Sequence, residues 1–442
     1  MLAYLWLAGR STGYGEATLT DLLSAIGVTT IVVLGLFVAA HRGAIRLSIR
    51  DVIGFAIIFR AVGLLAYPVL EDDFFRYLWD GWQTVSHGTP YGTPPADSFA
   101  SESVPERWAE VLDGINYPEV ATVYGPTAQL LFALSALITP AQVWLLQGLA
   151  GAADLGIIWL LRHQIPAKWL LMYSWSPLLI KEFAFTAHID VIGAFLVMAA
   201  LTLRMRPAGT RPSTVGIAVG ALLALACGIK VFALLAVPFL LQGDWRGWVA
   251  FALTACGLGW PFGMLDAWFP AGLAVMGSDW LFNAPLYYSA AALWGWDHLS
   301  TVRVLGLSVL AIVAAVLFLR SCGSAIWPPG RLVRRHPILV PPERYLTSLT
   351  VLFGSLMFAL PVLNPWYLVW WLALAALRPS VTAWTMSAVV VLSYVSGINL
   401  DDASLALYEQ PAWVLWLQFS PVAIALIVDG WRARRSGRGS LT

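Results

Sequence analysis

Three acids in succession, Glu71-Asp72-Asp73, run directly into Phe74-Phe75-Arg76-Tyr77-Leu78-Trp79-Asp80-Gly81. Adjacent carboxylates repel, so one of the aspartates is expected to keep its proton to a higher pH than usual. A carboxylate so placed can take the proton of an attacking hydroxyl if it stands within hydrogen-bond reach. Arg76 and Tyr77 follow Asp73 by three and four residues, one helical turn, so the three can share a face. The plainer reading is an acidic cap on the next helix, with Asp72 or Asp73 accepting from its first amides. Three acids with an Arg-Tyr-Trp continuation exceed what a cap needs.

A second group lies further along. Of three lysines, Lys181 and Lys230 stand inside hydrophobic segments; Lys181-Glu182 is followed by His188 and Asp190, and Lys230 falls at a break, Gly228-Ile229-Lys230. Charges in apolar surroundings are costly and are weighed as functional by default. Two readings stand: Lys181 and Glu182 neutralise each other while Lys230 snorkels to an interface, or all converge with the acidic run on one site. Asp154 sits in an apolar stretch with no partner in view, and Asp401-Asp402 reads as a solvated loop.

The elements that must position these residues are membrane helices. With 59% hydrophobic and 12% charged residues and a mean hydropathy of +0.74, the chain is no water-soluble domain but an all-α polytopic membrane protein. A spanning helix needs about 20 apolar residues. Apolar stretches fall near 22–40, 52–69, 127–138, 142–161, 169–185, 189–203, 214–227, 231–241, 247–264, 303–319, 345–361, 366–377, 381–397 and 412–429. That predicts about 12–14 transmembrane segments in one integral membrane domain, 1–442. Cys227, Cys256 and Cys322 lack metal-site spacing and read as packing residues. The apolar start, residues 1–9, is too short to span and shows no cleavage pattern, so no signal peptide is expected.

The connections sort by charge. Arginines and lysine gather at 42–50, 162–168, 204–211, 246, 331–335 within a basic loop at 320–344, 378 and 432–438. The positive-inside rule puts these, and the C-terminus, in the cytoplasm. The other connections are acidic or uncharged; the longest, 71–126, holds ten acids against Arg76 and Arg107. The alternation fails if 127–138 and 142–161 both cross, so 127–138 is expected to be re-entrant or interfacial.

The loop 71–126 carries aromatics and prolines at fixed places: Gly88-Thr89-Pro90-Tyr91, Pro94-Pro95, an amphipathic piece near 103–112, Ile115-Asn116-Tyr117-Pro118 and Tyr124-Gly125-Pro126. A loop of this length and composition is expected to fold as a cap and to be functional. Together with Asp72 to Gly81 these motifs resemble the first extracytoplasmic loop of GT-C class, polyprenyl-phosphate-sugar-dependent glycosyltransferases, particularly the bacterial polyprenol-phosphomannose-dependent mannosyltransferases. Ser176-Pro177-Leu178 with Lys181-Glu182 and His188-Ile189-Asp190, Lys230 before Pro238, and Leu363-Asn364-Pro365-Trp366-Tyr367-Leu368 extend the resemblance along most of the chain. The loop ends Tyr-Gly-Pro where the family has Tyr-Pro-Pro.

The resemblance implies a GT-C-like bundle in a bacterial inner (plasma) membrane with an extracytoplasmic active site. A sugar, mannose by family, would pass from a polyprenyl-phosphate donor to a glycolipid or glycan acceptor. Asp73 would be the general base, and Asp72 would position the acceptor or bind a divalent metal; no cofactor is otherwise implied, and no nucleic-acid partner. Lys230, Arg76, His188 and Lys181, in that order, would balance the leaving phosphate. Tyr77, Tyr124, Asp190, Asn364 and Tyr367 complete the substrate-binding set, although Asn364 to Tyr367 fits an interfacial aromatic belt equally well. The competing class is a secondary transporter or lipid-linked-sugar flippase, which also uses broken helices and intramembrane lysines; no internal repeat is visible.

Overall fold

A computed structural model describes residues 1–206, 214–263, 270–278, 280–326 and 342–438, and among them all regular structure is helical. The chain opens with α1 (Leu2–Gly9), α2 (Leu19–His41) and α3 (Ile49–Gly63), then α4 (Asp73–His87) and α5 (Glu106–Asp113). Next come α6 (Pro126–Ile138), α7 (Trp144–Leu161), α8 (Ala167–Ser174), the single turn α9 (Pro177–Ile180), α10 (Asp190–Met205) and α11 (Val215–Ile229). The remainder comprises α12 (Val237–Leu240), α13 (Trp245–Gly263), α14 (Pro270–Ser278), α15 (Pro285–Trp294), α16 (Leu299–Ile326), α17 (Pro342–Ala359), α18 (Val369–Leu377), α19 (Val381–Val389), α20 (Gly397–Leu400) and α21 (Ala412–Arg438).

Among the described residues four helices are long and apolar enough to cross a bilayer, Leu19–His41, Trp144–Leu161, Trp296–Cys322 and Ala412–Arg435; Pro177–Phe185 with Asp190–Met205, bent by 114°, makes a fifth if taken as one span. The protein is therefore a membrane-embedded helical protein. The expected 12–14 segments correspond to helices, but most are shorter than a span or interrupted. α6 has 13 residues, about 20 Å at 1.5 Å per residue, shorter than a hydrocarbon core of about 30 Å. The stretch 169–185 divides at Ser176-Pro177, because proline has no amide hydrogen to continue a helix, and ends in a π-turn over Lys181–Phe185. The stretch 231–241 is a 3₁₀ turn followed by α12. Of the expected basic loop 320–344, residues to Ile326 continue α16; Arg331, Arg334 and Arg335 lie outside the described residues, as do Arg211, Asp266 and Asp279.

The acidic loop is a folded cap built on α4. Every residue of α4 from Phe74 to Gln83 is buried, and the helix stops at Gly88, whose φ of 82° is the left-handed conformation glycine adopts without penalty. Phe74, Tyr77, Leu78 and Trp82 form one core with Trp108, Val111 and Leu112 of α5 and with Phe132 of α6. The amphipathic piece near 103–112 is α5. Arg76 ties the cap together, donating to the carbonyls of Val120 (2.8 Å), Tyr117 (3.0 Å) and Asn116 (3.4 Å).

Asp154 does have a partner. Arg60 of α3, unremarkable in sequence, donates to it from Nε (3.0 Å) and Nη2 (2.5 Å), and Tyr173 Oη from α8 (2.9 Å). Cys227 and Cys322 are half-buried, but Cys256 is exposed.

The departure to Tyr-Gly-Pro has a packing reason. Gly125 begins α6 against the end of α11, and a Cβ there would lie 3.0 Å from the Gly228 carbonyl carbon and closer still to its oxygen. Two backbones meet where a prolyl ring has no room. Gly125→Ala is expected to cost about 1–3 kcal/mol of stability as the two helices separate, read as a lower unfolding midpoint in detergent.

Candidate functional site

The start of α4, the end of α11 and the segment before α18 enclose a cavity of about 1300 Å³. Asp72, Asp73, Arg76, Tyr124, Asp190, Lys230, Asn364 and Tyr367 all line it. Tyr77, Lys181 and His188 do not; they are fully buried behind its wall.

Asp72 occupies the N-cap position of α4 yet makes no cap hydrogen bond, so capping does not account for it. Its Oδ1 accepts from Asn116 Nδ2 (2.7 Å) and its Oδ2 lies 3.5 Å from Tyr408 Oη. Burial, and then the charge of Asp73, push its carboxyl up to about 7, the direction that both effects predict. Asp73 starts the helix one residue on and turns elsewhere, accepting from Tyr124 Oη (3.3 Å). Tyr77, on the same face, stacks on Phe132 at 4.8 Å and meets the Tyr124 ring edge-on at 5.1 Å, which holds Tyr124 in place. Tyr77 thus supports the hydroxyl facing Asp73 and does not reach the cavity itself.

Lys230 stands in extended conformation between α11 and the following 3₁₀ turn. Its Nζ lies 2.9 Å from Asp190 Oδ1 and 3.6 Å from the centre of the Tyr367 ring. Asp190 opens α10 and also accepts from Trp370 Nε1 (3.0 Å). Asn364 Nδ2 donates to Tyr367 Oη (3.3 Å). The motif Asn364 to Tyr367 therefore belongs to the cavity wall and not to an outer belt.

Lys181 and His188 are spent on a separate buried cluster. Lys181 Nζ lies 3.3 Å from Glu182 and 3.7 Å from Glu71, and contacts Tyr394 Oη. His188 Nδ1 is 3.0 Å from Glu182 and Nε2 3.8 Å from Glu71, and its ring stacks on Trp366 at 3.7 Å. Both sequence readings are met in part: Glu182 neutralises Lys181, and the acidic run joins them through Glu71. Neither cation lines the cavity, and Arg76 lines it but is committed to cap carbonyls, so of the four ranked cations Lys230 is the one at the cavity that is not spent on the cap. The acid-histidine set able to take a metal among the described residues is Glu71, Glu182 and His188, not one around Asp72; the ammonium of Lys181 already supplies positive charge there.

One lining cation was missed. Arg303, near the start of α16, donates from Nη2 to the Trp280 carbonyl (3.0 Å), while its buried Nε has no partner. The signal was an arginine heading an apolar segment directly after an acidic connection, against the charge alternation. Beyond Lys230 and Arg303 the lining turns apolar, with Leu234, Leu235, Leu273, Met276, Leu307 and Leu356. Leu307 is 57% exposed and Leu234 51%, so this end opens onto the apolar outer surface of the bundle.

Comparison with family models, with curated proteins and with solved structures finds no match to this chain.

Proposed function

We propose that the protein is a membrane glycosyltransferase that moves a sugar from a polyprenyl-phosphate donor to a hydroxyl acceptor on the extracytoplasmic face of a bacterial inner membrane, on a GT-C-like scaffold. The supporting observation is the cavity itself, lined by carboxylates, by a lysine and an arginine, and by leucines that are also exposed on the apolar outer surface. A lipid phosphate ester has the matching parts, sugar, anion and hydrocarbon. Asp73 takes the acceptor proton, the acceptor oxygen bonds to the anomeric carbon, and the anomeric carbon–oxygen bond breaks with its electron pair leaving on the polyprenyl phosphate. Attack opposite the leaving group inverts the anomeric centre. Lys230 stabilises the phosphate charge that develops, a contribution that is large where water is excluded. By resemblance the sugar is mannose.

The bend between α9 and α10 and the break after α11 favour a second reading, a transporter of lipid-linked sugar, since such breaks line transport sites. The two differ at Lys230. In a transferase, Lys230→Met is expected to lower transfer by about 10²–10³-fold. Because the single change strands Asp190, whose side chain is 3% exposed, the Lys230→Met/Asp190→Asn variant is the control: it should recover thermal stability without recovering transfer. Full transfer by the folded double variant would remove Lys230 from the reaction.

A further inference from the structure

Three aromatic rings in the cavity wall are used by no step above. Tyr117 of the cap meets Trp280 at 4.6 Å between ring centres, 33° between planes, and Tyr408 at 5.7 Å and 26°. They come from three segments distant in sequence, all line the cavity, and all remain half-buried. The rings that hold the cap together, Tyr77, Trp79 and Trp82, are by contrast buried to 9% exposure or less. Tyr117 has a φ of 46°, a conformation a bulky residue adopts at a cost. It is fixed there because its carbonyl accepts from both Arg76 (3.0 Å) and the Val120 amide (3.0 Å). Trp280 is held likewise, through its carbonyl on Arg303. Two committed arginines and a strained backbone thus hold these rings in the cavity wall. Beside them stand the Asp72 carboxyl and the Asn116 amide, 2.7 Å apart.

From this juxtaposition we infer a pyranose-binding subsite, formed by Tyr117, Trp280 and Tyr408 with Asp72 and Asn116, for the sugar of the acceptor. A pyranose ring has an apolar C–H face and a rim of hydroxyls. Half-exposed aromatic faces cover the first, while a carboxyl and an amide beside them offer acceptors and donors to the second. Its position indicates which substrate. Asp73 turns to Tyr124, on the side of Lys230 and the apolar mouth, whereas Asp72, one residue earlier, turns to Asn116 and Tyr408. Arg303 is bonded to the subsite through the Trp280 carbonyl, and the base lies between that subsite and Lys230. Attack opposite a departing phosphate requires the acceptor on that far side. This rests on the transferase reading and adds that the acceptor is already a glycan.

The test is binding to the full-length protein in lipid nanodiscs, using methyl hexopyranosides, their disaccharides, and the same disaccharide on a lipid anchor, followed by saturation-transfer NMR and tryptophan fluorescence. We expect at least one glycoside to bind, with a Kd raised about tenfold or more in Tyr117→Ala and in Tyr408→Ala, roughly the loss of one ring contact. Tyr408→Phe, which keeps the ring, should retain the wild-type value. Retained binding of polyprenyl phosphate alone, with an unaltered melting midpoint, identifies the alanine variants as folded. Tighter binding of the lipid-anchored form assigns the ligand to a glycolipid and equal binding to a soluble glycan; either supports the subsite. No glycoside binding by the wild type, or equal binding by folded Tyr117→Ala and Tyr408→Ala, overturns it. Glycoside binding without any sugar transfer would instead sink the transferase reading and leave the subsite. Equal transfer to an alcohol lacking a sugar would do the reverse.

Discussion

Asp73→Asn is expected to lower sugar transfer by about 10²–10⁴-fold, the range one general base contributes, with donor affinity little changed. The amide keeps the size of the side chain and can still meet Tyr124 Oη, but it cannot take up the acceptor proton. The loss should therefore fall on kcat, while the acceptor and donor KM stay within a few fold. Asp72→Asn is expected to differ in kind. Asp72 pairs with Asn116 and Tyr408 and not with the Tyr124 hydroxyl that faces Asp73, so its replacement should raise the acceptor KM. Steady-state kinetics with each substrate varied separates the two. An Asp73→Asn enzyme with wild-type kcat would remove Asp73 as base.

The largest expected effect on stability lies far from the cavity. Asp154→Ala would leave Arg60 charged and buried, 3% exposed, with its carboxylate gone and only the carbonyls of Ala56 (3.3 Å) and Ser174 to receive it. Breaking one half of a buried pair costs about 3–5 kcal/mol. The double variant Arg60→Leu/Asp154→Leu removes both charges and should recover much of that, since buried pairs repay little of their own desolvation. Tyr173 would lose its acceptor in both cases, and a residual deficit of about 1–3 kcal/mol for an unpaired hydroxyl is expected in the double variant. Unfolding midpoints in a fixed detergent measure all three. Equal destabilisation by the single and double variants would show that packing, not charge pairing, sets the cost.

The Arg60–Asp154 pair also marks where sequence reading stops. Hydrophobic runs revealed most of the helices, though not α14 or α15, because burying apolar residues in lipid needs no knowledge of neighbours. Partnership across helices does need it: Arg60 and Asp154 lie 94 residues apart, and no spacing rule aligns α3 with α7. The breaks were legible only where proline or glycine marked them. Gly228-Ile229-Lys230 was read as one, while Ser176-Pro177 was noticed as a motif and not as the point where a span divides.

At the site, residue types and their order pointed to Asp72, Asp73, Tyr124, Asp190, Lys230, Asn364 and Tyr367, which do share one cavity. The cations were harder. Arg76, His188 and Lys181 have the right charge, but their hydrogen bonds are taken by cap carbonyls and by Glu71 and Glu182, a fact of tertiary packing. Arg303 went unnoticed because it is a lone charge within an apolar run, although its place in the charge alternation was a usable signal.

The central claim is that a bond to the lipid phosphate is broken here. Its most direct measurement uses a polyprenyl-phosphate sugar labelled differently on sugar and lipid, given to vesicles holding the purified wild-type or Asp73→Asn protein with a glycan acceptor inside. The account predicts that, with the wild type, sugar label appears on the acceptor as polyprenyl phosphate is released one for one, and that Asp73→Asn yields neither. Donor that crosses the bilayer with both labels still joined, equally with wild type and variant, would contradict it and identify a transporter.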